Sequence, residues 1–130
     1  MHDRILPGNL PTVSALAYLG DAAHSLCIRR MLLEKGISRS KELNAFALEY
    51  VTAERQAEAF LRIEPFLSDE ERDLFKRAFN STHLNKPKHV SHKDYRTATG
   101  FEAILGMHSW LGNEERISEL VKIAYGEPEA

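Results

Sequence analysis

Two acidic residues stand where an apolar helix has no structural use for a charge. Asp21 follows Gly20 inside the run "LAYLGDAAHSLCIRRMLLEKG" (16–36), and Glu102 lies within "TATGFEAILG" (97–106). A carboxylate buried without a partner costs several kcal/mol, so each needs an explanation. On a helix, the neighbours of a residue lie three and four positions away. Asp21 is flanked in this way by Ala17, Tyr18, His24 and Ser25, and Glu102 by Ala98, Thr99, Leu105 and Gly106. No lysine or arginine sits at that spacing to neutralise either acid. Small neighbours, with Gly20 and Gly106, allow two helices to approach closely and leave each carboxylate in a shallow site that a cation or a large substrate can enter. The competing reading is that Asp21 faces solvent at a helix margin while Glu102 pairs with Arg29 or Arg96.

A second chemical feature is the distribution of charge. The chain carries a net charge of −2, yet residues 76–96 hold Lys76, Arg77, Lys86, Lys88, Lys93 and Arg96 against Asp94, so that segment is +5 and the remainder −7. Such a protein is not generally adhesive toward polyanions but has one preferred place to receive one. A solvated lysine-bearing loop without a ligand is the alternative. His83, His89 and His92 in the same segment lack a cysteine and a compact ligand spacing, which argues against zinc. The single cysteine, Cys27, rules out an intrachain disulfide and reads as a small core hydrophobe among Leu26, Ile28 and Leu32.

The elements that must position these residues are helical. A hydrophobic fraction of 43% and a charged fraction of 28% over 130 residues are globular values, and the length suits one domain, 1–130. The N-terminus lacks a basic region followed by an apolar stretch, and no apolar run reaches the roughly 18 residues of a membrane span. The expectation is a soluble, unexported, cytoplasmic protein with no membrane partner. Helical periodicity recurs throughout and strand alternation is nearly absent, so the fold class is all-α.

The first helix begins near Pro11–Ser14, carries Leu16, Leu19, Ala23, Leu26, Arg30 and Leu33 on one stripe, and stops at Gly36. A second, about 40–47, buries Leu43, Phe46 and Ala47. The third, "TAERQAEAFLRI", turns Ala53, Ala57, Phe60 and Leu61 inward and ends before Pro65. Ser68 with Glu71 forms a capping box opening the fourth, whose "EERDLFKR" charges read as a solvated face. Residues 80–94 form a long exposed basic loop. A fifth helix covers about 95–111, with Phe101, Ile104, Leu105, His108 and Leu111 inward, and a sixth runs from Asn113 to about Tyr125. Trp110 packs in the core or at a subunit contact.

The glycine-aspartate motif, followed about 80 residues later by "FEAILG", resembles the catalytic domain of ribonuclease III, and in particular the small Mini-ribonuclease III group. The likeness extends through the "RQAE" helix and the basic loop to the last helix. It implies a helical endonuclease domain that forms a homodimer, with no double-stranded RNA-binding domain appended. The larger enzymes use four acidic positions per subunit. Here Asp21 and Glu102 match, while the other two positions are Ala17 and Thr99, a reduction that Mini-ribonuclease III shares.

The resemblance thus implies a magnesium-dependent hydrolase that cuts double-stranded or structured RNA, such as a ribosomal RNA precursor, and leaves 5′-phosphate products. Asp21 and Glu102 are then the catalytic metal ligands for Mg2+, and Thr99 orients a water. Lys86, Lys88, Lys93, Arg77 and Arg96 would contact the RNA backbone, since duplex RNA is read largely by shape, phosphate and 2′-hydroxyl contacts. A catalytically inert RNA-binding homologue acting in ribosome assembly is the alternative that the loss of two acids permits.

Overall fold

In the computed structural model, which describes residues 9–81 and 86–126, the sequence forms six α-helices and no strand among those residues. They are α1 (Val13–Glu34), α2 (Ser40–Val51), α3 (Ala53–Ile63), α4 (Asp69–Asn80), α5 (His92–Leu111) and α6 (Glu114–Tyr125), with a 3-10 turn at Glu64–Phe66. The all-α expectation holds. No helix among the described residues is long and apolar enough to cross a membrane.

The two long helices, α1 and α5, form the largest interhelical contact, and α3, α4 and α6 pack around them. Thr12 starts α1 by accepting the Ala15 N–H on its hydroxyl, and Gly36 at φ 90° follows its end. The capping box at α4 is present in full: Ser68 Oγ accepts the Glu71 N–H, and Glu71 Oε1 accepts the Ser68 N–H at 2.8 Å. The larger core cluster joins Ile28 and Leu32 of α1 to Phe60 and Ile63 of α3, Phe101 and Ile104 of α5, and Leu120 of α6. A smaller one holds Leu16, Ala17, Leu74, Ala78, Ala103 and Met107.

Several expected faces are displaced. The buried stripe of α1 is Leu16, Ala17, Gly20, His24, Ile28 and Leu32, while Leu26 and Leu33 are 61% and 56% exposed. The helix is apolar over more than one face, so periodicity alone did not determine which face turns inward. Leu61 of α3 and Phe46 of α2 are exposed as well, and α2, which runs on to Val51, buries no residue completely.

The fifth helix starts three residues earlier than expected, because Ser91 caps it by accepting the Asp94 N–H at 3.1 Å. Lys93, expected in the basic loop, therefore stands on the first turn of α5. Residues 82–85, including His83, lie outside the described residues.

Glu71 departs from the expected solvated face of α4. It is buried, and its carboxylate accepts from Arg116 Nε at 2.9 Å, Arg116 Nη2 at 2.7 Å and His108 Nε2 at 2.6 Å. Burial by itself would raise the Glu71 pKa, but these hydrogen bonds and the Ser68 N–H outweigh it and hold the group at about 2. The network ties α4 to α5 and α6. Asn113 is the N-cap residue of α6, but its side chain makes no cap hydrogen bond and directs its amide to His108 Nδ1 at 3.2 Å.

Candidate active site

The site begins with a contact between two backbones. A Cβ on Gly20 would stand 1.6 Å from the Glu102 carbonyl oxygen, and one on Gly106 would stand 1.8 Å from that of Leu16. Only glycine fits at either position. The crossing puts the residue after Gly20 beside the residue one turn before Gly106, so Asp21 and Glu102 meet across the helix pair and line one cleft.

An open cleft of about 430 Å³ lies over them, lined by Ser14, Ala17, Tyr18, Asp21, Thr99 and Glu102 among others. The small side chains at 14 and 17 leave the carboxylates accessible from the α1 side. Asp21 is exposed and Glu102 half-buried. Burial, then the charge of Asp21 and the hydrogen bond to it, raise the Glu102 pKa to about 8, against a smaller opposing effect of a hydrogen bond from Gln56. Neither carboxylate forms an ion pair with lysine or arginine among the described residues, so the pairing of Glu102 with Arg29 or Arg96 does not occur. The close pair is relieved either by a proton or by a cation entering the cleft.

Thr99, one turn before Glu102, lines the same cleft and donates its hydroxyl proton to the Tyr95 carbonyl at 2.9 Å. Its oxygen keeps lone pairs that can accept from a water. Glu102, Thr99 and Tyr95 also form one wall of a second cleft of about 340 Å³, shared with Thr52, Gln56, Pro87 and His89. The loop after α4 thus borders the carboxylate region. Gln56 is a site residue that the sequence reading did not single out; its signal was a polar residue on the otherwise apolar inward face of "AERQAEAF".

The proposed cationic residues are placed unequally. Lys88 and Lys93 are exposed. Lys86 Nζ donates to the Pro87 carbonyl at 3.3 Å, and Arg77 pairs with Asp73 at 3.4 Å on the α4 surface. Arg96 is drawn inward, with its guanidinium 5.9 Å from the centre of the Phe79 ring and Nε buried without a partner. Among the described residues no group of three or more histidine, cysteine, aspartate or glutamate side chains is arranged to hold a metal. Cys27 is half-buried and burial raises its thiol pKa.

These features define an all-helical domain whose two central helices cross on glycines and present a pair of carboxylates to an open cleft. The ribonuclease III domain model matches residues 14–110. Mini-ribonuclease 3 of Brevibacillus brevis is 40% identical over 117 residues, spanning 90% of this chain and 87% of the relative. Mini-ribonuclease 3 of Symbiobacterium thermophilum is 38% identical over 118 residues, 91% of this chain and 90% of the relative. A crystal structure of protein FN1578 from Fusobacterium nucleatum aligns with a TM-score of 0.78 at 32% identity, over 86% of this chain and 89% of that one. The chain belongs to the ribonuclease III domain family, within its Mini-ribonuclease 3 group.

Proposed function

We propose that this protein hydrolyses phosphodiesters of double-stranded or structured RNA with magnesium held by Asp21 and Glu102, and that it works as a cytoplasmic homodimer on a ribosomal RNA precursor. Family membership makes it an endoribonuclease. The observation that carries the site assignment is the meeting of Asp21 and Glu102, without a cationic partner, in the cleft over the α1–α5 crossing.

The donor set fits the ion. Magnesium binds carboxylate oxygens, keeps several waters and commonly takes one or two protein carboxylates together with substrate phosphate. Two adjacent carboxylates facing an open cleft meet that requirement, whereas an enclosed cage would not. When bound, the ion supplies an activated water and offsets charge on the scissile phosphate and the leaving 3′ oxygen, which leaves a 5′ phosphate on the product. Asp21 and Glu102 bind it, the cleft admits the RNA backbone, and the Thr99 oxygen accepts a hydrogen bond that orients the attacking water. Lys86, Lys88 and Lys93 meet backbone phosphates, with Arg77 and Arg96 as outer contacts.

The homodimer is supported by an apolar stripe on the outer side of α1. Tyr18, Ala22, Leu26 and Leu33 are all exposed, with Tyr18 at 84%. The stripe shares its helix with Asp21, so a second copy packed there would associate two cleavage sites with one duplex, one for each strand.

The test is incubation of the purified protein with duplex RNA, with magnesium and with a chelator. Cleavage is expected only with the ion. Asp21→Asn and Glu102→Gln should each lower the rate by several orders of magnitude while RNA binding persists, because both keep shape and remove the charge that holds the ion. Normal cleavage by Asp21→Asn would remove that residue from the chemistry. RNA binding by the wild type without cleavage under any divalent cation would favour the inert, ribosome-assembly reading.

A further inference from the structure

Gln56 is 3% exposed on the inward face of α3, beside Ala57 and Phe60. Its Nε2 donates to the Val51 carbonyl at 3.1 Å, and the side chain lines the second cleft together with Glu102, whose charged form it favours. Oε1 is buried with no partner. The Val51 carbonyl fixes which way the amide points, since the flipped amide would set two oxygens against each other. One amide hydrogen is therefore committed to the main chain at the end of α2, which leaves the other available to Glu102. A methionine or leucine would fill this space without stranding a polar atom, so packing does not account for the residue. What the glutamine adds is a fixed donor to one carboxylate. Gln56 lines the second cleft with Glu102 while Asp21 lines the first, so Glu102 stands between the two clefts.

We infer that Gln56 is a positioning residue: anchored on the Val51 carbonyl, it holds the Glu102 carboxylate in the orientation in which it and Asp21 share one divalent cation. The inference rests on the assignment of Asp21 and Glu102 as metal ligands and extends it to α3. A partner that orients a ligand typically controls metal affinity by tenfold to a hundredfold, without touching the ion. Gln56 makes contact with neither ion nor RNA in this role, so its removal acts through Glu102 alone.

The probe is Mn2+ alone, titrated calorimetrically into the purified full chain without RNA. The wild type should bind Mn2+, and Glu102→Gln should abolish that binding. Gln56→Met, which conserves volume and removes the amide, should weaken Mn2+ binding about tenfold or more. Its helical spectrum and affinity for duplex RNA in chelator should match the wild type. Gln56→Asn keeps an amide one methylene short of Glu102 and should show the same loss, and it decides the matter where the methionine variant does not fold. A Mn2+ dissociation constant within about twofold of wild type in the folded variants, whatever happens to melting temperature, would make Gln56 a packing residue and overturn the inference. Wild-type protein whose Mn2+ binding does not depend on Glu102 would instead overturn the carboxylate site, and the positioning role with it.

Discussion

His24 and Glu71 are ionisable groups that the chain buries outside the cleft, and with Glu102 they set how the protein responds to acid. His24 is fully buried, its Nε2 shares a 2.6 Å hydrogen bond with the Tyr125 hydroxyl, and its ring lies edge-on to Phe101 and Tyr125. Burial lowers its pKa to about 4, against a weaker opposing effect of Asp21. Between pH 6.5 and 4 the unfolded chain binds a proton at His24 that the folded one refuses, so stability falls as pH drops through that window. Glu71 acts lower: it stays ionised when folded down to about 2, while the unfolded carboxylate protonates near 4.5, so a second loss follows between those values. Each amounts to about 3 kcal/mol. Glu102 opposes this, since between about pH 8 and 4.5 the folded chain takes up a proton there that the unfolded one does not; urea unfolding of Glu102→Gln from pH 7 to pH 3, which lacks that uptake, should show the midpoint falling from about pH 6.5 downward. His24→Gln should flatten the upper part of that decline and leave the part below pH 4.5 in place. A midpoint constant from pH 7 to pH 5 in the Glu102→Gln protein would contradict the burial of His24 as a neutral ring.

At the scale of elements, the α1–α5 crossing and the loop after α4 divide the work between shape and charge. The crossing depends on two glycines whose missing side chains are occupied by backbone carbonyls of the opposite helix. Backbone cannot move aside as a flexible side chain can, so Gly20→Ala or Gly106→Ala must separate the helices and should cost about 3 kcal/mol or more. Thermal melting checks this. A Gly106→Ala protein that melts with the wild type would show that the two helices do not approach so closely. Gly112, with φ 78° and nothing within 4 Å of its absent Cβ, ends α5 for a different reason, the left-handed cap. The lysines of the loop and of the first turn of α5 should govern salt dependence. Replacing Lys86, Lys88 and Lys93 with alanine should weaken duplex RNA binding and reduce the log-log salt slope, by about 0.7 to 0.9 for each phosphate no longer neutralised. Binding isotherms at several salt concentrations measure it, and an unchanged slope would exclude these lysines from the RNA interface.

For the whole molecule the prediction is association. A single 14.8 kDa chain presents one carboxylate pair, and the exposed stripe of Tyr18, Leu26 and Leu33 is an apolar surface on the helix that bears Asp21. Sedimentation should give a mass near twice that of the chain, and Leu26→Glu should halve it without altering helix content. The isolated subunit should then nick duplex RNA where the dimer breaks both strands. A wild-type protein that is monomeric at micromolar concentration and still makes double-strand breaks would refute the pairing of two sites.

Much of this architecture was legible in the sequence because its signals are local. Helical periodicity, the Ser68–Glu71 capping box, Gly36 as a stop and the glycines beside Asp21 and Glu102 each depend on residues within about one turn, and the structure contains them all. The family resemblance rested on two short motifs and their order. Periodicity did not determine which face of an all-round apolar helix turns inward, so Leu26, Leu33 and Leu61 were assigned to a core they do not enter. Nor did it reveal that Glu71 would meet Arg116, 45 residues away, or that Gln56 would reach Glu102 from a third helix. Those contacts join residues remote in the chain, and only the glycine-mediated approach of α1 and α5, with α3, α4 and α6 packed around them, brings their side chains together. Local pattern was enough to specify the helices and the two carboxylates. Packing settled which groups surround those carboxylates, because burial and long-range hydrogen bonds join residues that no local pattern relates.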